Sequence, residues 1–196
     1  MIKNDKWIKE MAQQKQLLLP FEEKLISKLE DGTKVLSYGL SSYGYDIRLS
    51  EKEFWVFRHI PGTVVDPKNF NPQNLEKAEL LTDKNNSKYF VLPAHSYGLG
   101  VAIEKLTMPE NVTCIAIGKS TYARCGIIAN TTPAEAGWNG HLTLEFSNSS
   151  GADCRIYAGE GIIQLLFFEG EPCQVSYASR SGKYQNQTEN VTIAKV

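Results

Sequence analysis

No stretch of the chain approaches the roughly 18 consecutive apolar residues of a membrane-spanning helix, so no such helix is expected in it. The opening residues, MIKNDKWIKEMAQQKQ, have no apolar core of the secretory-signal kind, and a cytoplasmic protein is expected. Charge of one sign is also missing. The 21 Lys and Arg against 22 Asp and Glu leave a net −1, so neither nucleic acid nor an anionic membrane is an expected partner. Only four cysteines occur, Cys114, Cys125, Cys154 and Cys173, with no C-x-x-C pair; they are expected as reduced, small core residues. His59, His95 and His141 do not cluster. There is no G-x-x-x-x-G-K-[ST] loop and no H-E-x-x-H, and GLG at 98–100 lacks the third glycine of a dinucleotide fingerprint. The H-x-E and P-C-x-x-C signature of zinc-dependent nucleobase deaminases is absent. A hydrolytic or deaminating activity, if present, is therefore expected to proceed without a catalytic zinc.

What remains is the pattern of one soluble domain over residues 1–196, without repeat or linker. Residues 5–16 read as a helix that Asp5 could cap, with Trp7, Ile8 and Met11 on one face. PFEEKLISKLEDGTK could form a second short helix ending at Asp31-Gly32. Residues 58–88, rich in Pro, Asn and Lys, read as a long surface excursion with one helical turn near Leu75–Leu80. From Tyr89 onward short apolar or alternating runs follow one another, separated by Gly, Pro and Asn, which argues an all-β sandwich or barrel. CQVSYAS is the last of these runs. The tail, residues 178–196, is polar and expected to be mobile until something orders it.

Within this frame, GWNGHLTLEFSN (137–148) has a hairpin-type Asn139-Gly140 signal followed by alternation of Leu142, Leu144 and Phe146 with His141, Thr143 and Glu145. The second face either meets solvent or lines a site in which Glu145 works. GKSTYAR (118–124) gathers Lys119, Ser120, Thr121 and Arg124 beside a glycine: an anion cradle, or a polar turn with two solvated cations. In the tail, Lys183 and the amides Gln185 and Gln187 could close over phosphates or simply be solvated. Gln164, inside the apolar run EGIIQLLFFEG, needs a partner in the core or on a ligand.

Six stretches in order, SSYGYDIRLS, VDPKNF, GKSTYARCGI, NTTPAEAGWNGHLTLEFSN, IYAGEGIIQLLFFEG and SYASRSGKYQNQT, together resemble the bacterial dCTP deaminases, relatives of the trimeric dUTPases. They span about Ser41 to Thr188. The resemblance implies an all-β fold with small helices, a distorted β-barrel of the dUTPase-like (β-clip) type, assembled as a homotrimer with active sites between subunits. It implies conversion of dCTP and water to dUTP and ammonia, with Mg2+ carried by the triphosphate and dTTP as a possible inhibitor. By position, Glu145 matches the catalytic glutamate, supported by Ser120 and Arg124. Lys119, Ser120, Thr121, Tyr122, Ala123 and Arg124 match a nucleotide-binding segment, and Thr143 and Leu144 the strand beside the base. Gln164, Tyr177, Lys183 and Gln187 match further nucleotide contacts, and Glu135 an acidic position near the sugar. The segment from Thr132 to Trp138 is shorter than in the enterobacterial branch and the tail spacing differs by one, which bears on the sugar and tail contacts.

The expected mechanism makes Glu145 a general base and proton shuttle. Burial would raise its pKa and a nearby Arg124 would lower it. Backbone groups at Thr131–Pro133 and Thr143–Glu145 would read the cytosine edge. A bifunctional deaminase–dUTPase giving dUMP and pyrophosphate, a plain dUTPase and a non-catalytic nucleotide sensor on the same frame are the alternatives.

Overall fold

The computed structural model describes residues 1–58, 60–130 and 132–196. His59 and Thr131 lie outside the described residues. The helix Asp5–Lys15 (α1) opens the chain and is followed by Leu18–Leu19 (β1), Ile26–Lys28 (β2), Lys34–Ser41 (β3), Gly44–Arg48 (β4) and Trp55–Phe57 (β5). A 3-10 turn at Pro72–Asn74 leads into Leu75–Lys77 (β6), Leu81–Thr82 (β7), Lys88–Leu92 (β8), Tyr97–Thr107 (β9) and Val112–Gly118 (β10). The one-turn helix Ser120–Ala123 (α2) precedes Ile127–Ala129 (β11), Pro133–Ala134 (β12), Asn139–Asn148 (β13), Cys154–Tyr157 (β14) and Gly161–Glu169 (β15).

The cap of α1 is Asn4, whose side chain accepts the Trp7 N–H at 3.2 Å; Asp5 sits in the first turn, where its charge suits the helix dipole. Ile8 and Ala12 are buried, and Trp7 packs on Phe167 with ring centroids 6.3 Å apart. The expected second helix is instead the hairpin β2–β3. Asp31 accepts the Thr33 N–H at 2.8 Å and Gly32 takes φ +90°, a turn that sends the chain back before a helix can start. Likewise the helical turn expected near Leu75–Leu80 lies earlier, at Pro72–Asn74, because Leu75–Lys77 pairs with β5. Residues 173–179 form no strand, and Val175 is exposed.

Two larger sheets carry the fold. One runs β11–β13–β9–β5–β6 with β1 also on β9; the other runs β12–β10–β15–β4–β3–β2; β14–β8–β7 form a third. Leu144 and Phe146 of the first sheet and Ile163, Leu165 and Phe167 of the second share one buried cluster. Gly98 and Gly100 on β9 make room at this junction. A Cβ at Gly98 would lie 2.6 Å from the Phe54 ring, and one at Gly100 would lie 2.5 Å from Leu49. Phe54 stacks on Phe90 and Phe146. The all-β expectation holds, but the described strands do not close into a continuous barrel. The two large sheets meet at the isolated Leu49–Ala102 bridge, with Leu49 and Phe54 filling the space between them.

Candidate active site

Strand β13 alternates as its sequence does. Leu142, Leu144 and Phe146 are buried, while His141, Thr143 and Glu145 are half-buried on the other face. That face looks into a cleft of about 680 Å³ whose lining includes Phe57, Tyr97, Leu99, Trp138, Thr143 and Glu145. The expected hairpin turn at Asn139-Gly140 is not one. The turn lies at Ala136-Gly137, where the Trp138 N–H returns to the Glu135 carbonyl at 3.0 Å, and β13 starts at Asn139. Gly140 takes φ +144° for a different reason: it forms a parallel bridge with Gln187 of the tail. A Cβ there would lie 2.7 Å from the Gln187 N, so only glycine lets the tail backbone approach.

The tail is held down in this structure. The His141 N–H donates to the Gln187 carbonyl at 2.9 Å and the Asn186 N–H to the Asn139 carbonyl at 2.7 Å. The Gln187 side-chain amide donates to Thr143 Oγ1 at 2.6 Å, and the Thr192 N–H reaches the same oxygen at 3.0 Å. Glu189 pairs with Lys52 and accepts from Ser50. Gln185 does not face the cleft opening; it bridges the Asn139 N–H and the Gly137 carbonyl. The polar residues that made the tail read as mobile are those that tie it to β13 and its approach.

Glu145 is the electrostatic centre of the cleft. Burial pushes its carboxyl up to about 7 from the ordinary 4.5, opposed only by its own backbone N–H. Of the predicted residues, Glu135, Thr143, Tyr177, Lys183 and Gln187 line the same cleft. Thr132 and Pro133 do so too, while the backbone contact expected of Thr131 falls outside the described residues. Tyr177 meets the Trp138 ring edge-on at 5.3 Å. Leu144 is buried behind the strand.

The other half of the predicted set lies elsewhere. Ser120, Thr121, Ala123 and Arg124 are exposed on and just after α2 and are not part of the cleft lining. Tyr122 points into the core, where its Oη accepts the Tyr157 N–H at 2.9 Å. Lys119 forms an ion pair with the buried Asp46 and donates to Ser37 Oγ at 3.2 Å. Burial pushes the Asp46 carboxyl up despite the Lys119 ammonium, and its Oδ1 has no partner among the described residues. Gln164 pairs in register with Asp46 across β15 and β4, and its amide donates to Ser41 Oγ at 3.2 Å. The four cysteines are free, with Cys114 buried and Cys125 and Cys173 exposed. Among the described residues no three His, Cys, Asp or Glu side chains gather as a metal site, and no helix is long and apolar enough to cross a membrane.

Several lining residues were not singled out in the sequence, among them Phe57, Phe70, Tyr97, Leu99 and Arg180. Arg180 pairs with Glu135 and lies over the Tyr177 ring at 5.3 Å. Its place in a polar tail looked like ordinary solvation, and Phe70 lay in the stretch read as a surface excursion.

A half-buried carboxylate in a cleft that a polar tail overlies, on a frame of packed β-sheets, is an arrangement suited to acid–base chemistry in a protein of the β class. Comparison with known proteins specifies it. The dCTP deaminase-like family model matches residues 2–170, and the chain belongs to that family. It is 50% identical over 195 residues to the dCTP deaminase of Leptothrix cholodnii, covering 99% of this chain and 98% of that one. It is 48% identical over the same length, with the same coverage, to the dCTP deaminase of Chromobacterium violaceum. Among solved structures, the 2'-deoxycytidine 5'-triphosphate deaminase of Agrobacterium tumefaciens superposes with a TM-score of 0.55 at 17% identity over 86% of this chain. This chain spans 48% of that longer one, and the likeness is one of fold.

Proposed function

We propose that this chain deaminates dCTP hydrolytically, dCTP and water giving dUTP and ammonia, in the cytoplasmic supply of pyrimidine deoxynucleotides. Family membership gives the substrate class. The observation that carries the chemistry is the Glu145 carboxyl, held near 7 in the cleft. A group half ionised near neutrality serves equally as acceptor and donor, which a single proton shuttle requires. Ionised Glu145 takes a proton from water as the oxygen attacks C4 of cytosine. It returns that proton to the ring nitrogen N3, then takes the remaining proton from the new C4 hydroxyl and hands it to the amino group, so that the C4–N bond breaks, ammonia leaves and the C4 carbonyl forms. General acid–base catalysis of this type contributes about 10²–10⁴-fold, and positioning supplies the rest.

Thr132, Pro133 and the β13 backbone would face the base, and Glu135 the sugar. Lys183 and Gln187 of the tail would meet the phosphates. Lys119, Ser120, Arg124 and Gln164 would enter from a neighbouring subunit of a homotrimer, since within one chain they lie away from the cleft. Magnesium would arrive on the triphosphate, held by phosphate oxygens and neutralising their charge. The proposed route takes its proton acceptor from Glu145 and calls on no metal-bound hydroxide. Binding of dTTP at the same cleft as an inhibitor belongs to this reading.

The test is incubation with dCTP and magnesium, following ammonia, dUTP, dUMP and pyrophosphate together. Ammonia and dUTP in equal amounts are expected. Pyrophosphate with dUMP would replace this reading by the bifunctional one, and tight dCTP binding without ammonia would make the chain a sensor.

A further inference from the structure

Tyr97 opens β9, and Asn130 directly follows β11. In the sheet β13 lies between those two strands, so Tyr97 and Asn130 approach each other across the strand that carries Glu145. Register pairs Leu99 with Glu145 and Tyr97 with Ser147. Paired residues of antiparallel strands share a face, which sets Tyr97 diagonal to Glu145 on the cleft side.

Three contacts fix the phenol. The Asn130 side-chain amide donates to Tyr97 Oη. The Asn130 backbone N–H donates to the Glu145 carbonyl at 3.0 Å, tying the amide to the glutamate's own peptide. The Phe57 ring meets Tyr97 edge-on, with centroids 5.4 Å apart at 89°. With its oxygen already accepting from Asn130, the hydroxyl has a proton left to donate.

The other ionisable groups of the cleft are engaged elsewhere. Glu135 pairs with Arg180 and Lys183 donates to the Lys195 carbonyl. The Tyr177 hydroxyl accepts the Tyr184 N–H and the Tyr184 hydroxyl accepts the Lys195 N–H, which holds both phenols to the tail, whereas Tyr97 is held from the β11 side of the Glu145 strand. His141, on the same face of β13, lies 3.1 Å from the Ala102 carbonyl. Apart from its own backbone N–H, the Glu145 carboxylate has no donor among the described residues, so the bond from Tyr97 is one for the closed site to make. The nearness of the two groups also marks Tyr97: burial first, and the Glu145 charge second, push its hydroxyl pKa up.

We propose that Tyr97 is a positioning residue for Glu145: its hydroxyl, aimed by Asn130, donates to the ionised carboxylate and leaves the second carboxylate oxygen to the attacking water. Hydrogen bonds of this kind tighten when substrate closes the site. The inference rests on the deaminase reading and adds to it a residue outside the motif segments.

The test is the Tyr97→Phe enzyme, which keeps the ring and its contact with Phe57. Its kcat should fall roughly ten-fold, the scale of one hydrogen bond to a charged group, while KM stays within about three-fold. The acid limb of the kcat/KM profile should move to higher pH, because a donor favouring the ionised carboxylate is gone. Asn130→Leu, which releases the phenol, should move the same limb in the same direction, and it carries the test alone if Tyr97→Phe does not fold. A lowered Tm or raised KM with the pH profile unmoved would make Tyr97 a packing residue and overturn the inference. Wild-type protein is assayed alongside. If it releases no ammonia from dCTP, the deaminase reading fails; if it does and both variants match it in kcat and profile, only this inference fails.

Discussion

Glu145 is placed by its strand and tuned by its surroundings. The period-2 alternation of β13 buries Leu142, Leu144 and Phe146 and leaves Glu145 on the cleft face. Glu145→Gln keeps the shape of the side chain and removes its basicity. Turnover of dCTP should fall by about 10²–10⁴-fold, with dCTP affinity measured by calorimetry changing little. The pH dependence follows from the sign of the shifts. The base must be ionised, so kcat/KM falls as pH drops below its pKa. In the single chain burial sets that pKa at about 7, against an ordinary 4.5. A neighbour's Arg124 would favour the ionised form and bring the limb down between those values. The small residual activity of Arg124→Gln should therefore show its acid limb returned toward 7, with a larger fraction lost near about pH 6 than near about pH 8. The alternation was legible in the sequence because it is local. The raised pKa was not, because the groups that enclose Glu145 come from β5, β9 and the tail, about forty to ninety residues away.

At the scale of the element, the informative error concerns glycine. Asn139-Gly140 has the composition of a hairpin turn, yet Gly140 stands in a strand at φ +144° so that Gln187 can lie against it. Glycine marks an unusual backbone and does not say which cause, a turn or a close approach, demands it. The same ambiguity made residues 20–32 look helical: Leu25 and Leu29 have helical spacing, but both are exposed, and the Asp31-Gly32 turn prevails. Gly140→Ala strains the backbone and pushes on the Gln187 peptide, at a cost of about 1–3 kcal/mol. The tail should detach while β13, held by β9 and β11, stays paired. The expected result is a KM for dCTP raised roughly ten-fold or more, with faster limited proteolysis after residue 178 and a nearly unchanged Tm. An unchanged KM would mean that the tail does not contribute to nucleotide binding.

For the whole molecule, the decisive fact is a separation. The motif segments were legible as chemistry, but their sequence order could not say which of them face one another. Glu145, Thr143, Lys183 and Gln187 share a cleft, and Ser120 and Arg124 are exposed away from it. No rearrangement within the chain is needed if the second group serves the cleft of a neighbouring copy, as in a ring with the same interface repeated around it. That arrangement makes a prediction no single-chain site can share. Glu145→Gln and Arg124→Gln proteins should each be nearly inactive alone. Co-refolded or co-expressed in equal amounts, they assemble at random. A site is intact when it takes its glutamate from an Arg124→Gln chain and its arginine from a Glu145→Gln chain, so about one quarter of the sites should recover wild-type chemistry. Ammonia release from dCTP by the mixture should thus approach about a quarter of the wild-type rate, while the two proteins mixed without exchange of subunits stay inactive. Activity that never exceeds the sum of the two variants would place Arg124 and Glu145 in the same chain's site, and the exposed α2 segment would have to move to reach it.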